Sequence, residues 1–290
     1  MKNQYVADAG DYGKYGLLRY LIEKGIRVGV NWYLTPDDRS NDGKKRIAEK
    51  DWKYDPELFD ALIDIFENSD KSVEMIESSG LLPGTQFYHE IVNCSDRSAW
   101  HANALKTLDE AELVFCDPDN GTIGAKKLSA KDSDKYITPA EIVDYYKAGH
   151  DVVYYCQKAR RTWDAWIKTK NEMTEYLPDA KLHVLTYHRG TQRSYIFVIH
   201  PEHYRKLVNI LYQFTFSRWG SGSNCPFTQE TSSVTTPKDE EAGNAMKITL
   251  ESGDTCIIKI CDDGWVEIKS TLKPNCSIRR RADQFVKGIL

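Results

Sequence analysis

Asp117, Asp119 and Asn120 stand directly after the apolar run Leu113-Val114-Phe115-Cys116, in the string Asp117-Pro118-Asp119-Asn120-Gly121. In open α/β sheets, ligands bind outside the carboxyl ends of strands, so polar residues that follow an apolar strand are the first candidates for chemistry. Two carboxylates and an amide offer acceptors for an amine or a cation, and Gly121 lets backbone approach a flat ligand. A turn would account for one or two of these residues, not for the whole run. A second string, Ala7-Asp8-Ala9-Gly10-Asp11-Tyr12-Gly13-Lys14, opens a helical pattern with small residues, two acids and a lysine. Glycines ahead of a helix can cradle an anion, and Lys14 adds a point charge. The string is neither a P-loop nor a Gly-x-Gly-x-x-Gly pattern, and N-capping by Asp11 explains it about as well.

Asn31 and Asp42 lie in and beyond the run 28–34, whose Trp32 and Tyr33 could stack on a base but, as strand aromatics, are more often core. Lys158, Arg160 and Arg161 follow the apolar run 152–156, while Arg189 and Arg193 lie in the polar loop 188–193; these are reasonable phosphate contacts. The histidines, His89, His101, His150, His183, His188, His200 and His203, are dispersed, with no His-x-x-x-His or His-Glu-x-x-His pair, so zinc catalysis has no support in the sequence. Hard cations need only oxygen ligands, and Asp8, Asp11, Asp117 and Asp119 would hold Mg²⁺ if they converge.

Elements that would position these residues alternate up to about residue 220. Helical patterns cover 12–23, 56–67, 72–79, 98–110, 138–148, 162–177 and 203–214; strand patterns cover 28–34, 86–92, 113–116, 152–156, 182–187 and 195–199. Thr138-Pro139 supplies an N-cap and first-turn proline. The alternation predicts an α/β fold: a Rossmann-like three-layer sandwich with a mostly parallel sheet that ends in an antiparallel pair. Residues 221–245 turn to Ser, Thr, Gly, Pro and Glu and read as a linker. Residues 246–290 then read as a small β-meander.

Composition sets the outer bounds. The chain has 290 residues, 41% hydrophobic and 28% charged, which suits a folded domain with a substantial core and excludes a disordered or disulfide-stapled miniature. No apolar run approaches the roughly 20 residues of a membrane span. The polar start Met1-Lys2-Asn3-Gln4 carries no signal-peptide pattern, so a cytoplasmic location is expected. Seven cysteines without a Cys-x-x-Cys pair point to reduced thiols, with Cys116 and Cys156 in buried strands. A net charge of −4 gives no global basic field, although bases outnumber acids between residues 151 and 220.

The order of elements, the antiparallel final pair and the Asp-Pro run after the strand pattern 113–116 resemble class I S-adenosylmethionine-dependent methyltransferases. Within that group the likeness is to the rRNA adenine-N6 enzymes, over residues 1 to about 215. The resemblance implies a cofactor site at Asp8, Gly10, Asp11, Lys14, Asn31 and Asp42. It also implies that Asp117, Asp119 and Asn120 receive the amine being modified on a nucleic acid base or nucleotide. The departures are a single, late glycine (Gly43) after the first strand, and Asp119 and Asn120 where a second proline and an aromatic would stand. Two other readings compete: a Mg²⁺-dependent nuclease or phosphodiesterase on the aspartates, and a non-catalytic nucleic-acid or protein binding module with Trp265, Ile268 and Arg279-Arg280-Arg281 as its contact surface.

Overall fold

The computed structural model describes residues 1–38, 43–67, 70–123, 133–157, 161–220 and 225–230, together with the backbone of four strands beyond residue 244. Asp42, Lys158 and Arg160 lie outside the described residues, as do the side chains of Trp265, Ile268 and Arg279 to Arg281. The chain divides into two compact units, Met1–Ser232 and Ser233–Leu290.

The first unit holds strands β1 (Val28–Asn31), β2 (Gln86–Tyr88), β3 (Leu113–Cys116), β4 (Asp151–Gln157), β5 (Lys181–Tyr187), β6 (Arg193–Ile199) and β7 (Phe227–Glu230). They form one sheet in the order β2-β1-β3-β4-β6-β5-β7. β2, β1, β3 and β4 pair in parallel, whereas β6 is antiparallel to both β4 and β5, and β7 is antiparallel to β5. Seven α-helices cover the sheet: α1 (Ala9–Glu23), α2 (Pro56–Glu67), α3 (Val73–Ser78), α4 (Arg97–Thr107), α5 (Pro139–Lys147), α6 (Trp163–Asn171) and α7 (Pro201–Phe216). Alternate residues of the central strands feed different cores, as the period of two requires. Leu113 and Phe115 join residues of α1, α2, α3 and α7, while Val114 and Cys116 join residues of α4, α5 and α6. The sheet is therefore an α/β sheet buried on both faces, parallel at one side and antiparallel at the other.

Several boundaries differ from the sequence reading for local reasons. α1 begins at Ala9 because Asp8, not Asp11, is the N-cap: its Oδ1 accepts from Gly10 N at 2.6 Å and Asp11 N at 3.0 Å. β1 stops at Asn31 because Tyr33 takes a left-handed backbone (φ 46°), which breaks the strand before Leu34. β2 ends at Tyr88, and α6 ends at Asn171 and gives way to a 3-10 turn, Glu172–Glu175. β7 falls inside the stretch read as a linker; it adds an edge strand whose Phe227 is buried among aromatic rings. Thr138 forms a full capping box with Glu141 at the start of α5. Trp32 is fully buried in the core rather than placed to stack on a ligand. The second unit contains β8 (Ala245–Thr249), β9 (Thr255–Ile260), β10 (Trp265–Ser270) and β11 (Ser277–Arg281), an antiparallel sheet in the order β11-β10-β9-β8. Among the described residues, no helix is long and apolar enough to cross a membrane.

α1 lies very close to its neighbours. A Cβ on Gly13 would overlap the ring of Tyr187, and one on Gly16 the ring of Trp219, so glycine three apart makes a flat face on which aromatic rings rest. Gly16→Ala is expected to lower stability by about 1–3 kcal/mol despite alanine's better helix propensity, because the added methyl overpacks a closed contact. Urea denaturation measures this, and a neutral or stabilising result would mean that Trp219 moves aside freely. Burial lowers the pKa of His183 in β5 to about 4, and its Nε2 has no hydrogen-bond partner. Its ordinary value is near 6.5, so the unfolded chain binds the proton more readily. The neutral ring then contributes stability that is complete above about pH 6.5 and is lost as pH falls to 4, by about 3 kcal/mol. His183→Phe should flatten the fall in melting temperature over that interval.

Candidate active-site cleft

The carboxyl ends of β1, β3 and β4 lie side by side, because Asn31 is in register with Cys116 and Cys116 with Tyr154. β6 runs the opposite way and starts there, with Arg193 opposite Gln157. The strand reversal thus brings the loop between β5 and β6 to the same edge as the residues after β3. A cleft of about 730 Å³ opens at this edge. Its wall includes Asp8, Gly10, Asp11 and Lys14 from the start of α1, Asp117, Asp119 and Asn120 from the end of β3, and Arg193 from β6.

A buried ammonium ties α1 to the end of β3. Lys14 Nζ lies 2.6 Å from Asp117 Oδ2 and 2.8 Å from Asp11 Oδ1, and all three side chains are almost wholly removed from solvent. Burial alone would lower the pKa of Lys14, but Asp11 and Asp117 outweigh it and hold the group above its ordinary value, so the lysine stays charged. Asp11 also accepts from Ala7 N and Tyr15 Oη, each at 3.0 Å. The bond to Ala7 N pins that residue at φ 63°, and the other non-glycine residue with positive φ among the described residues, Tyr33, is held by its N–H donating to Asn31 Oδ1 at 3.0 Å. Both strained residues adjoin the cleft, where such backbone is most often found.

The remaining acids of the cleft are also engaged. Asp8 caps α1 and its Oδ2 lies 3.5 Å from Arg193 Nη2. Asp119 Oδ1 lies 2.8 Å from the amine of Met1, and Thr35 Oγ1 donates to its Oδ2 at 3.4 Å. Lys2 pairs with Asp38 at the rim. What is left open is narrow: among the described residues, Asp117 Oδ1 accepts no hydrogen bond, and the Asn120 amide makes none, although its backbone N–H donates to Lys135 O at 3.0 Å.

The structure brings together eight of the residues singled out from the sequence: Asp8, Gly10, Asp11, Lys14, Asp117, Asp119, Asn120 and Arg193. Three others are used elsewhere. Asn31 is fully buried, its amide donating to Tyr145 Oη and accepting from Tyr33 N, so it braces β1 and does not line the cleft. Arg189 donates to Asp51 Oδ1 and Tyr54 Oη, both at 3.0 Å, and faces away from the cleft wall as a clamp on the 3-10 turn Glu49–Tyr54. Arg161 donates to the carbonyl of Gln157, the last residue of β4. The cleft does not unite Asp8, Asp11, Asp117 and Asp119 as ligands of one cation, because the Lys14 ammonium stands between Asp11 and Asp117 and the other two are paired. Residues that the sequence reading left out include Lys45, Lys135, Tyr155 and Gln157. Only the register of β4 with β6 could have found Gln157 beside Arg193.

No protein-family model matches the chain, and no curated protein is similar to it. The site therefore rests on its own geometry. Lys14→Met leaves two buried carboxylates facing each other without their cation, and is expected to destabilise the fold by about 3–5 kcal/mol. The double variant with Asp117→Asn should recover part of that loss. Additive losses in denaturant titrations of the two single variants and the pair would show that the ammonium and Asp117 are not coupled.

Proposed function

We propose that the cleft is the amine-binding site of a Rossmann-like, methyltransferase-like enzyme that acts on a nucleic acid base or nucleotide. The observation that carries this reading is the sheet itself. A parallel set that ends in an antiparallel pair, with the Asp-Pro run at the carboxyl end of β3, repeats the features on which the resemblance to class I methyltransferases rests. Ligands of such sheets sit where strand order changes, and the cleft lies there.

The chemistry left open at the wall suits a neutral amine. Lys14 occupies Asp117 Oδ2, which fixes the carboxylate and leaves Oδ1 as the acceptor. Asn120 supplies a second acceptor in its amide oxygen. An exocyclic amino group has two N–H donors; two acceptors would hold it in one orientation, with a carboxylate beside it able to take up a proton. Arg193 and Lys45, on the same wall, are cations suited to a phosphate of the substrate.

S-Adenosylmethionine would supply an electrophilic methyl group. The turn after β1 does not fit its methionine portion. Trp32 and Tyr33 are buried, Thr35 N donates to Met1 O at 2.8 Å, and Tyr33 O accepts from the Met1 amine at 3.1 Å, so that backbone is already satisfied. No step is therefore assigned to the cofactor, and the reading rests on the amine side of the site. The competing Mg²⁺-dependent phosphodiesterase finds its carboxylates paired with cations of the chain.

Calorimetric titrations with adenosine monophosphate and with S-adenosylmethionine, each with and without Mg²⁺, test the proposal. The expected result is saturable nucleotide binding without Mg²⁺, weakened at least tenfold, about 1.4 kcal/mol, by Asn120→Ala at unchanged melting temperature. Heat from Mg²⁺ alone, with no nucleotide binding in its absence, would overturn the reading in favour of metal-dependent phosphodiester chemistry.

A further inference from the structure

At the opposite end of β4 from the cleft, Asp151 opens the strand and meets the start of α7. Its Oδ1 lies 3.0 Å from His200 Nδ1 and its Oδ2 lies 3.1 Å from His203 Nδ1. One ligand atom from each residue falls within 4.8 Å of the other two. Four ligands placed about 2.0–2.1 Å from a tetrahedral zinc ion stand roughly 3.3 Å apart, so the carboxylate-to-imidazole spacings match neighbouring corners of such a shell.

The tautomer of His200 strengthens the case. Its Nε2 lies 3.1 Å from Tyr146 O, a carbonyl that can only accept, so Nε2 carries the hydrogen. The ring also stacks on Tyr146, with centroids 3.7 Å apart, and cannot turn freely. In the neutral ring, Nδ1 then presents a lone pair to a carboxylate oxygen, an arrangement that needs a cation between the two atoms. A proton on each imidazole would meet the same need. In either case the positive charge is held against Asp151, whose Oδ1 also accepts from the His200 backbone N–H at 2.8 Å. A metal ion satisfies both nitrogens at once. The N–H of His200 on a backbone carbonyl is also the usual second contact of a metal-bound histidine.

We propose that Asp151, His200 and His203 form a binding site for a divalent transition-metal ion of the zinc type. Two imidazoles and one carboxylate favour Zn²⁺ or Co²⁺ over Mg²⁺. Asp151 is buried, His200 is mostly buried, and His203 is 47% exposed, so three ligands come from the chain and the fourth position faces solvent. The ion joins the first residue of β4 to the first turn of α7. The cleft lies about 20 Å away along the seven residues of β4, so the site stands or falls separately from the amine-binding reading.

Full-length protein, stripped with chelator, is titrated with ZnCl₂ by calorimetry and with CoCl₂ by visible absorption. Expected are one equivalent of Zn²⁺ bound at micromolar concentration or tighter, a rise in melting temperature, and cobalt bands of a nitrogen and oxygen shell. His203→Ala, at a half-exposed position, should melt like the wild type without metal and bind Zn²⁺ at least tenfold more weakly. No binding below millimolar Zn²⁺ would overturn the proposal. So would a thiolate charge-transfer band, which would place the ion on cysteines, or binding unchanged in both His203→Ala and His200→Ala.

Discussion

The Lys14 ammonium between Asp11 and Asp117 is the contact that makes one site out of two separate parts of the chain, α1 and the end of β3. Taking an ammonium and two carboxylates out of water costs several kcal/mol per ion, and their mutual attraction returns that only when geometry and extra hydrogen bonds are good. Here the extra bonds come from Ala7 N and Tyr15 Oη on Asp11. The same bond holds Ala7 in a left-handed backbone, which turns the chain so that Asp8 can cap α1. The close seating of α1 follows: Gly13 and Gly16 place the helix backbone against Tyr187 and Trp219, and Lys14, on the same turn, reaches the end of β3. Removing the ammonium disturbs the cap, the turn and the strand end together.

Much of this was legible in the sequence, and the reason differs by residue. Strand and helix identity followed from periodicity because the central strands are buried on both faces and their helices carry one apolar stripe, as in α2, where Leu58, Phe59 and Leu62 are buried. The 7–14 string and the 117–120 run were each legible as candidates, but the sequence left open whether they meet, which the Lys14–Asp117 contact decides. Asp8 and Asp11 were harder to tell apart. Each is an acid at the start of the same helix, and Asp11 is drawn inward by Lys14, one turn on, which is itself held by the distant Asp117. Asn31 and Arg189 carry polar groups that suit ligands equally well, yet both satisfy buried neighbours, Tyr145 and Asp51. A sequence does not reveal which polar residue has been claimed by the fold.

β7 and the metal-ligand cluster show the same limit at longer range. Phe227 to Glu230 is a short segment in a polar stretch and becomes a strand because β5 offers it an edge, and because Glu230 receives Lys170, Trp166 and Thr186. His200 and His203 stand three apart at the head of a helix, and their ligand character depends on Asp151, about fifty positions earlier in the chain. The fold joins them because the antiparallel β6 returns to the amino end of β4 before α7 begins.

The two ends of β4 then carry opposite solutions to the same electrostatic problem. At the cleft end the carboxylates face cations that the chain provides, Lys14 for Asp11 and Asp117 and Arg193 for Asp8, so little negative charge is left to attract a metal ion. What remains there is one oxygen of Asp117 and the Asn120 amide, acceptors that suit the neutral N–H groups of an amine. At the other end no lysine or arginine is paired with Asp151 among the described residues, and its partners are two imidazoles, groups that can bind a metal ion through a ring nitrogen in place of a proton. A fixed ammonium beside one carboxylate and imidazoles beside the other favour a cation at one end of the strand and leave hydrogen-bond acceptors at the other.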